Sequence, residues 1–100
     1  MQLINKNEVE RIEFDDGTWF DIKSSFSVAD YDKAAELKTS GEAGTVVATL
    51  AIGITGWNMQ DGDKPAELNL ENISRLPGEV ATKLFLEINK KGRSLPKVKA

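Results

Sequence analysis

Two pairs of aspartates, Asp15/Asp16 and Asp61/Asp63, have the residue type and spacing to serve as general acid and base or to hold a cation. Each pair sits beside a glycine, Gly17 or Gly62, where Asp is favoured because its carboxylate accepts backbone hydrogen bonds in a turn. No aromatic pocket surrounds either pair to shift a pKa. A calcium loop of the EF-hand kind also needs a further acid ahead of its glycine and a glutamate at a fixed later position, and neither is present around Gly62. The hydroxyls of Ser24, Ser25, Ser27, Ser74 and Ser94 have no histidine to activate them, and Ser74 has no lysine at a spacing that suggests a Ser/Lys pair. With neither Cys nor His in the chain, thiol nucleophiles, disulfides and nearly all transition-metal ligand sets are excluded. No phosphate-cradling glycine loop or dinucleotide fingerprint occurs, and Asn72-Ile73-Ser74 matches a glycosylation sequon only formally, within a segment that reads as an intracellular helix. The expectation is a non-enzymatic protein without catalytic, cofactor-binding or metal-ligating residues.

What remains is to read the elements. One hundred residues with 40% hydrophobic content suit a single core. No apolar run approaches the ~20 residues of a bilayer crossing, and no basic, then apolar leader opens the chain, so a soluble cytosolic protein is expected. The net charge of −3 divides unevenly, with residues 1–50 at −5 and residues 51–100 at +2. Beyond Glu87 come Lys90, Lys91, Arg93, Lys97 and Lys99 with no acidic side chain, which reads as a flexible basic tail over 92–100. Lys90, Lys91 and Arg93 are therefore candidates for contact with an acidic partner, while nucleic acid is the weaker alternative.

Residues 9–23 read as a β-hairpin turned at Asp15-Asp16-Gly17. A three-residue loop sets Phe14 opposite Thr18, Ile12 opposite Phe20, Glu10 opposite Ile22, Arg11 opposite Asp21 and Glu13 opposite Trp19. A two-residue turn would set Ile12 against Asp21, so cross-strand compatibility selects the longer loop. Ile12, Phe14, Phe20 and Ile22 then face the core, and Trp19 points away, either covered by another element or exposed as a contact residue. Ser27-Val28-Ala29-Asp30 has the form of a capping box, with Phe26 and Tyr31 placed as a hydrophobic staple, and predicts a helix over about 28–39 with Val28, Tyr31 and Ala35 as its stripe. Ser40-Gly41-Glu42-Ala43-Gly44 reads as a flexible break.

Residues 45–55 support two readings. Seven of the eleven are β-branched and alternate apolar with small, which favours a strand. Taken with period 3.6, Val46, Leu50, Ile54 and Trp57 share one side, and Thr49, Gly53 and Gly56 form a small-residue face that a partner can approach closely. Asp61-Gly62-Asp63-Lys64-Pro65 is a turn and loop. Asn69 caps a short helix over 70–76, which Pro77-Gly78 terminates. The last helix, 78–91, carries Val80, Ala81, Leu84, Phe85 and Ile88 on one side, leaving Leu86 off the stripe as a contact candidate.

The order of Trp57 with Asn58-Met59-Gln60-Asp61-Gly62, the Pro65 loop, Leu70 to Leu76-Pro77 and a final amphipathic helix resembles the small tail assembly chaperones of long-tailed bacteriophages and prophages over residues 46–90. The resemblance implies a helix at about 45–58, and a protein that binds the tape measure protein in the host cytoplasm, helps recruit the tail tube protein and is absent from the mature virion. Trp57, Gly62 and Leu76-Pro77 match the family's architectural positions, to which Ile12, Phe14, Phe20, Leu84 and Ile88 add the predicted core. The fold class read this way is α+β, mainly α: an N-terminal hairpin followed by about four helices in one domain over 1–91. Trp19, Thr49, Gly53, Gly56 and Leu86 join the three basic residues as partner-contact candidates, with no membrane contact expected and self-association compatible. Two alternatives stand beside this. One is a small virion structural subunit, a tail or head-completion protein whose hairpin edge and 45–55 segment join an intersubunit sheet. The other is a nucleic-acid-binding regulator using 70–76 and 78–91 as a helix-turn-helix, which is disfavoured by Gly78-Glu79 at the head of the recognition helix.

Overall fold

The alternation of Glu10, Ile12 and Phe14 against Phe20 and Ile22 folds the first described stretch into an antiparallel pair, β1 (Val9–Glu13) and β2 (Trp19–Lys23). The register is the one the three-residue loop requires: Ile12 faces Phe20, Arg11 faces Asp21 and Glu13 faces Trp19. Gly17 makes this possible by adopting φ +90°, its amide donating to the Phe14 carbonyl at 3.0 Å while the Phe14 amide donates to Thr18 O at 2.8 Å. The computed structural model describes residues 3–4, 8–37 and 41–90. Over these residues the chain is one compact α+β domain, with four helices that make up about half of the described residues and a three-stranded sheet in the order β1-β2-β3, where β3 is Ile54–Trp57.

Helix α1 (Val28–Leu37) begins as its sequence directs. The Ser27 amide donates to Asp30 Oδ2 at 2.9 Å, the Asp30 amide donates to Ser27 Oγ at 3.3 Å, and the Phe26 and Tyr31 rings meet edge to face at 6.2 Å. The expected stripe needs correcting. Val28 is 77% exposed and Ala35 is exposed, whereas Ala34 is buried between half-buried Tyr31 and Leu37. Val28 and Ala35, seven apart, share one side of the helix, and the buried side is set instead by Tyr31, Ala34 and Leu37 at i, i+3 spacing, about 100° further round the axis. The predicted end at 38–39 lies outside the described residues.

Helix α2 (Gly41–Gly53) starts inside the segment read as a flexible break, with Gly41 at φ +86° leading into its first turn. It also stops earlier than the expected helix over 45–58, because Ile54–Trp57 is strand β3, antiparallel to β2. The β2–β3 pairing carries a bulge. Ile54 faces Ile22 and Gly56 faces Asp21, so Thr55 is the extra residue, and its hydroxyl donates to the Asp21 carbonyl at 3.2 Å. The extra residue places Ile54 and Trp57, three apart, on the same core side, where Trp57 meets Phe20 edge to face at 6.0 Å.

The Asp61 loop is more ordered than a turn alone: β4 (Gln60–Asp61) and β5 (Lys64–Pro65) pair across Gly62-Asp63, with Gly62 at φ +68°. Asn69 caps α3 (Leu70–Ser74) by accepting from the Asn72 amide at 2.8 Å. That helix ends two residues before the predicted 76, with Arg75 as its C-cap. Helix α4 (Gly78–Lys90) follows, the Ala81 amide donating back to Pro77 O at 3.0 Å. Residue 91 and the predicted tail over 92–100 lie outside the described residues.

Helix α2 is the centre of the packing, touching α1, α3, α4 and β3. Its Ala48, Leu50 and Ile52 close against Phe20 and Ile22 of the sheet, Ile73 of α3, and Leu84 and Ile88 of α4. Phe20, Ile22, Leu50, Leu84 and Ile88 are fully buried, and enclosing each stabilises the fold by ~1.5–3 kcal/mol before the entropy cost of ordering it.

Candidate partner-contact surface

The outer face of the sheet gathers two of the predicted contact residues. Trp19 leaves the core as the register requires, and the Arg11 guanidinium lies 3.8 Å from its ring centroid. Arg11 also donates to both oxygens of Asp21, at 2.8 and 3.1 Å. That bidentate bond holds the Asp21 carboxyl below the usual range against its partial desolvation, and raises the guanidinium in turn. Gly56 sits opposite Asp21, and a Cβ there would make ordinary van der Waals contact, 3.8 Å from Trp19 Cζ3 and 3.6 Å from Asp21 Oδ2. Trp19 and Gly56 thus belong to one patch, with Trp19 roofed by Arg11 and the patch fixed at its edge by Asn58, which accepts from the Trp19 amide at 2.8 Å.

Thr49 and Gly53 lie elsewhere. Thr49 is buried, its hydroxyl donating to Thr45 O at 2.9 Å, and a Cβ on Gly53 would stand 2.9 Å from Ile88 Cδ1 and 3.5 Å from Phe26 Cζ. The close approach those small residues permit is made within the chain by α4 and Phe26, and this corrects their assignment to a partner surface. Gly56, in a strand, is not on a helical face with them. Leu86 is 60% exposed on α4, and Lys90 is exposed four residues further along the same helix. Lys91 and Arg93 fall outside the described residues.

The architectural positions form a second unit. The Trp57 indole donates to Ala66 O at 2.9 Å, and the Ala66 amide donates to Met59 O at 2.9 Å, tying β3 to the end of the β4–β5 ladder. Arg75 clamps Asp61 with two bonds of 3.0 Å, which holds the Asp61 carboxyl below its usual range. A small pocket of about 70 Å³ lies between Trp57, Asp61, Asn72 and Leu76. Three of its polar side chains are tied down: Arg75, which holds Asp61, also donates to Asn72 Oδ1, and Asn72 donates to Glu67 O. Asp16 likewise accepts from the Thr18 amide at 3.0 Å, which lowers its pKa. Asp16 and Asp61 are therefore placed to shape a turn and clamp a loop, and among the described residues no three acids converge as a cation site would need. Among them, too, no helix is long and apolar enough to cross a membrane.

An open groove that residue patterns did not reveal runs beside the first turn. Phe14, Met59, Pro77 and Val80 line it, with Asp15 and Asp16 on its rim, and its volume is about 340 Å³. The one advance signal was Met59, an apolar residue stranded between Asn58 and Gln60. Fold and surface together define a small α+β domain. No protein-family model, curated protein or solved structure matches the chain.

Proposed function

We propose that the protein is a tail assembly chaperone of a long-tailed bacteriophage or prophage, a non-catalytic binding protein that holds the tape measure protein and helps recruit tail tube subunits. It acts in the host cytoplasm and leaves before the particle is complete. The reading rests on the resemblance over residues 46–90, and one observation supports it. The residues that carry the resemblance act as a single unit, since Trp57 is bonded to the segment after β5, Asp61 to Arg75 at the end of α3, and Leu76-Pro77 leads directly into α4. That unit presents Leu86 and Lys90 to solvent from a helix whose opposite side, at Leu84 and Ile88, is fully buried. An exposed leucine beside a cation suits an amphipathic helical partner, whose apolar stripe it can meet.

The test is recovery of the tagged protein from host cells during phage production, with nuclease and at moderate salt, followed by identification of what accompanies it. A long helical tape measure protein or a tube subunit, with the tagged chain missing from purified particles, is the expected result. Recovery of DNA alone, or of nothing, overturns the proposal, and incorporation into finished particles replaces it with a virion subunit.

A further inference from the structure

We propose that the acidic-rimmed groove beside the first hairpin turn is the docking site of the chain's own C-terminal segment, residues 91–100. The floor of the groove is apolar, made by Phe14, Met59, Pro77 and Val80, and the rim carries Asp15 and Asp16. Among the described residues Asp15 makes no ion pair, while Asp16 uses one oxygen on the Thr18 amide. Lys83, 4.9 Å over the Phe14 ring, is the cation that borders the site from α4. The segment that follows Lys90 reads Lys-Gly-Arg-Ser-Leu-Pro-Lys-Val-Lys-Ala, four cations and no acid, with Leu95 and Val98 as its apolar side chains. Its chemistry complements the groove in both respects: apolar residues for the floor, lysines for the rim.

Chain length fits as well. Val80 lines the groove at the start of α4 and Lys90 ends that helix, ten residues or ~15 Å further along at 1.5 Å per residue. A return beginning at Gly92 carries Leu95 about 10 Å and Val98 about 20 Å back along α4 at roughly 3.3 Å per extended residue, which brings Val98 level with Val80 and lays Leu95 over the middle of the helix. Lys97 or Lys99 then stands beside Asp15. Docked there, the segment covers the groove against other apolar partners, and a partner with its own basic and apolar sequence displaces it.

The absence of cysteine makes a direct test simple, because a Ser94→Cys substitution in the full-length chain carries a single nitroxide label. The expected result is loss of most of the amide signal from Thr18, Met59 and Val80, in addition to the last turn of α4. The signal returns in Asp15→Lys, in Leu95→Asp and in about 1 M NaCl, where the Debye length is only ~3 Å. Asp15 is an exposed turn residue and Leu95 lies beyond α4, so an unchanged amide spectrum elsewhere shows that each variant is folded. Broadening confined to the end of α4, or broadening at the groove that persists in both variants, overturns the proposal. So does broadening of an isotope-labelled, nitroxide-free chain mixed with a nitroxide-labelled one, which would place a second copy's segment in the groove.

Discussion

Gly53 has no room for a side chain unless a neighbour moves. A methyl group there would stand 2.9 Å from Ile88 Cδ1, closer than carbon atoms tolerate, yet Gly53 ends a helix in which alanine is intrinsically favoured by ~1 kcal/mol. The atom in the way is the tip of a side chain, so it yields at some cost because Ile88 is fully buried. Overpacking of this kind costs ~1–3 kcal/mol, and Gly53→Ala is expected to lower stability by about 1 kcal/mol once propensity is offset. Removing the obstructing methyl should reverse the sign. In an Ile88→Val background the same Gly53→Ala change is expected to be neutral or stabilising, a coupling read by urea denaturation of the four proteins of the cycle. Equal effects in both backgrounds would show that the contact is not felt. Trp57 gives a second residue-scale expectation. Trp57→Phe keeps the edge-to-face contact with Phe20 but leaves Ala66 O without its indole donor, for a loss of ~1–2 kcal/mol by the same measurement.

At the scale of elements, the starts of helices and the turns of hairpins carry most of the electrostatics. Burial works against ionisation of Asp30, but the Lys23 ammonium and the Ser27 amide outweigh it and hold the carboxyl below its usual range. Asp16, Asp21 and Asp61 are lowered by their donors as well. A carboxyl with a folded pKa below its unfolded value of about 3.9 contributes stability that is complete above that pH and is lost as pH falls through the folded value. The melting temperature should therefore be nearly level from about pH 5 to 7 and fall below about pH 4. Asp30→Asn, which removes one carboxylate that pairs with the Lys23 ammonium, should be about 1 kcal/mol less stable at neutral pH and show a shallower acid limb. A melting temperature indifferent to pH between 3 and 7, as a rough window, would contradict the assignment. These same local signals explain what the sequence made legible. The hairpin register, the capping box and the stripe of α4 each depend on residues within one turn or one strand pair. The boundary between α2 and β3 does not. The β-branched run pointed to a strand, the resemblance to a helix, and the chain does both in succession. The bulge at Thr55 puts Ile54 and Trp57 on one side with the i, i+3 spacing of a helix, so no periodicity could separate the two. The groove was hidden for a similar reason, since Phe14, Met59 and Val80 meet only when the sheet and α4 are brought together.

For the whole molecule, the question is whether the side chains that hold the domain together are separable from those that meet a partner, and α4 supplies the comparison. Leu84 is fully enclosed and Leu86, two residues on, is 60% exposed, so one helix turn presents the same side chain to the core and to water. Leu84→Ala removes buried methyl groups and leaves a cavity beneath α2, for an expected loss of ~2–5 kcal/mol in denaturant unfolding. Leu86→Ser removes nothing the fold depends on and should leave stability within ~0.5 kcal/mol. If α4 is the face that holds the tape measure protein, Leu86→Ser reduces recovery of that partner while the melting temperature stays put, and Lys90→Glu does the same in a salt-dependent way because an exposed charge acts through screened attraction. Loss of binding only in Leu84→Ala, in step with loss of the fold, would instead place the contact on another face. The roofed Trp19 patch across the sheet is then the surface to mutate, since there a large aromatic side chain lies outside the core cluster.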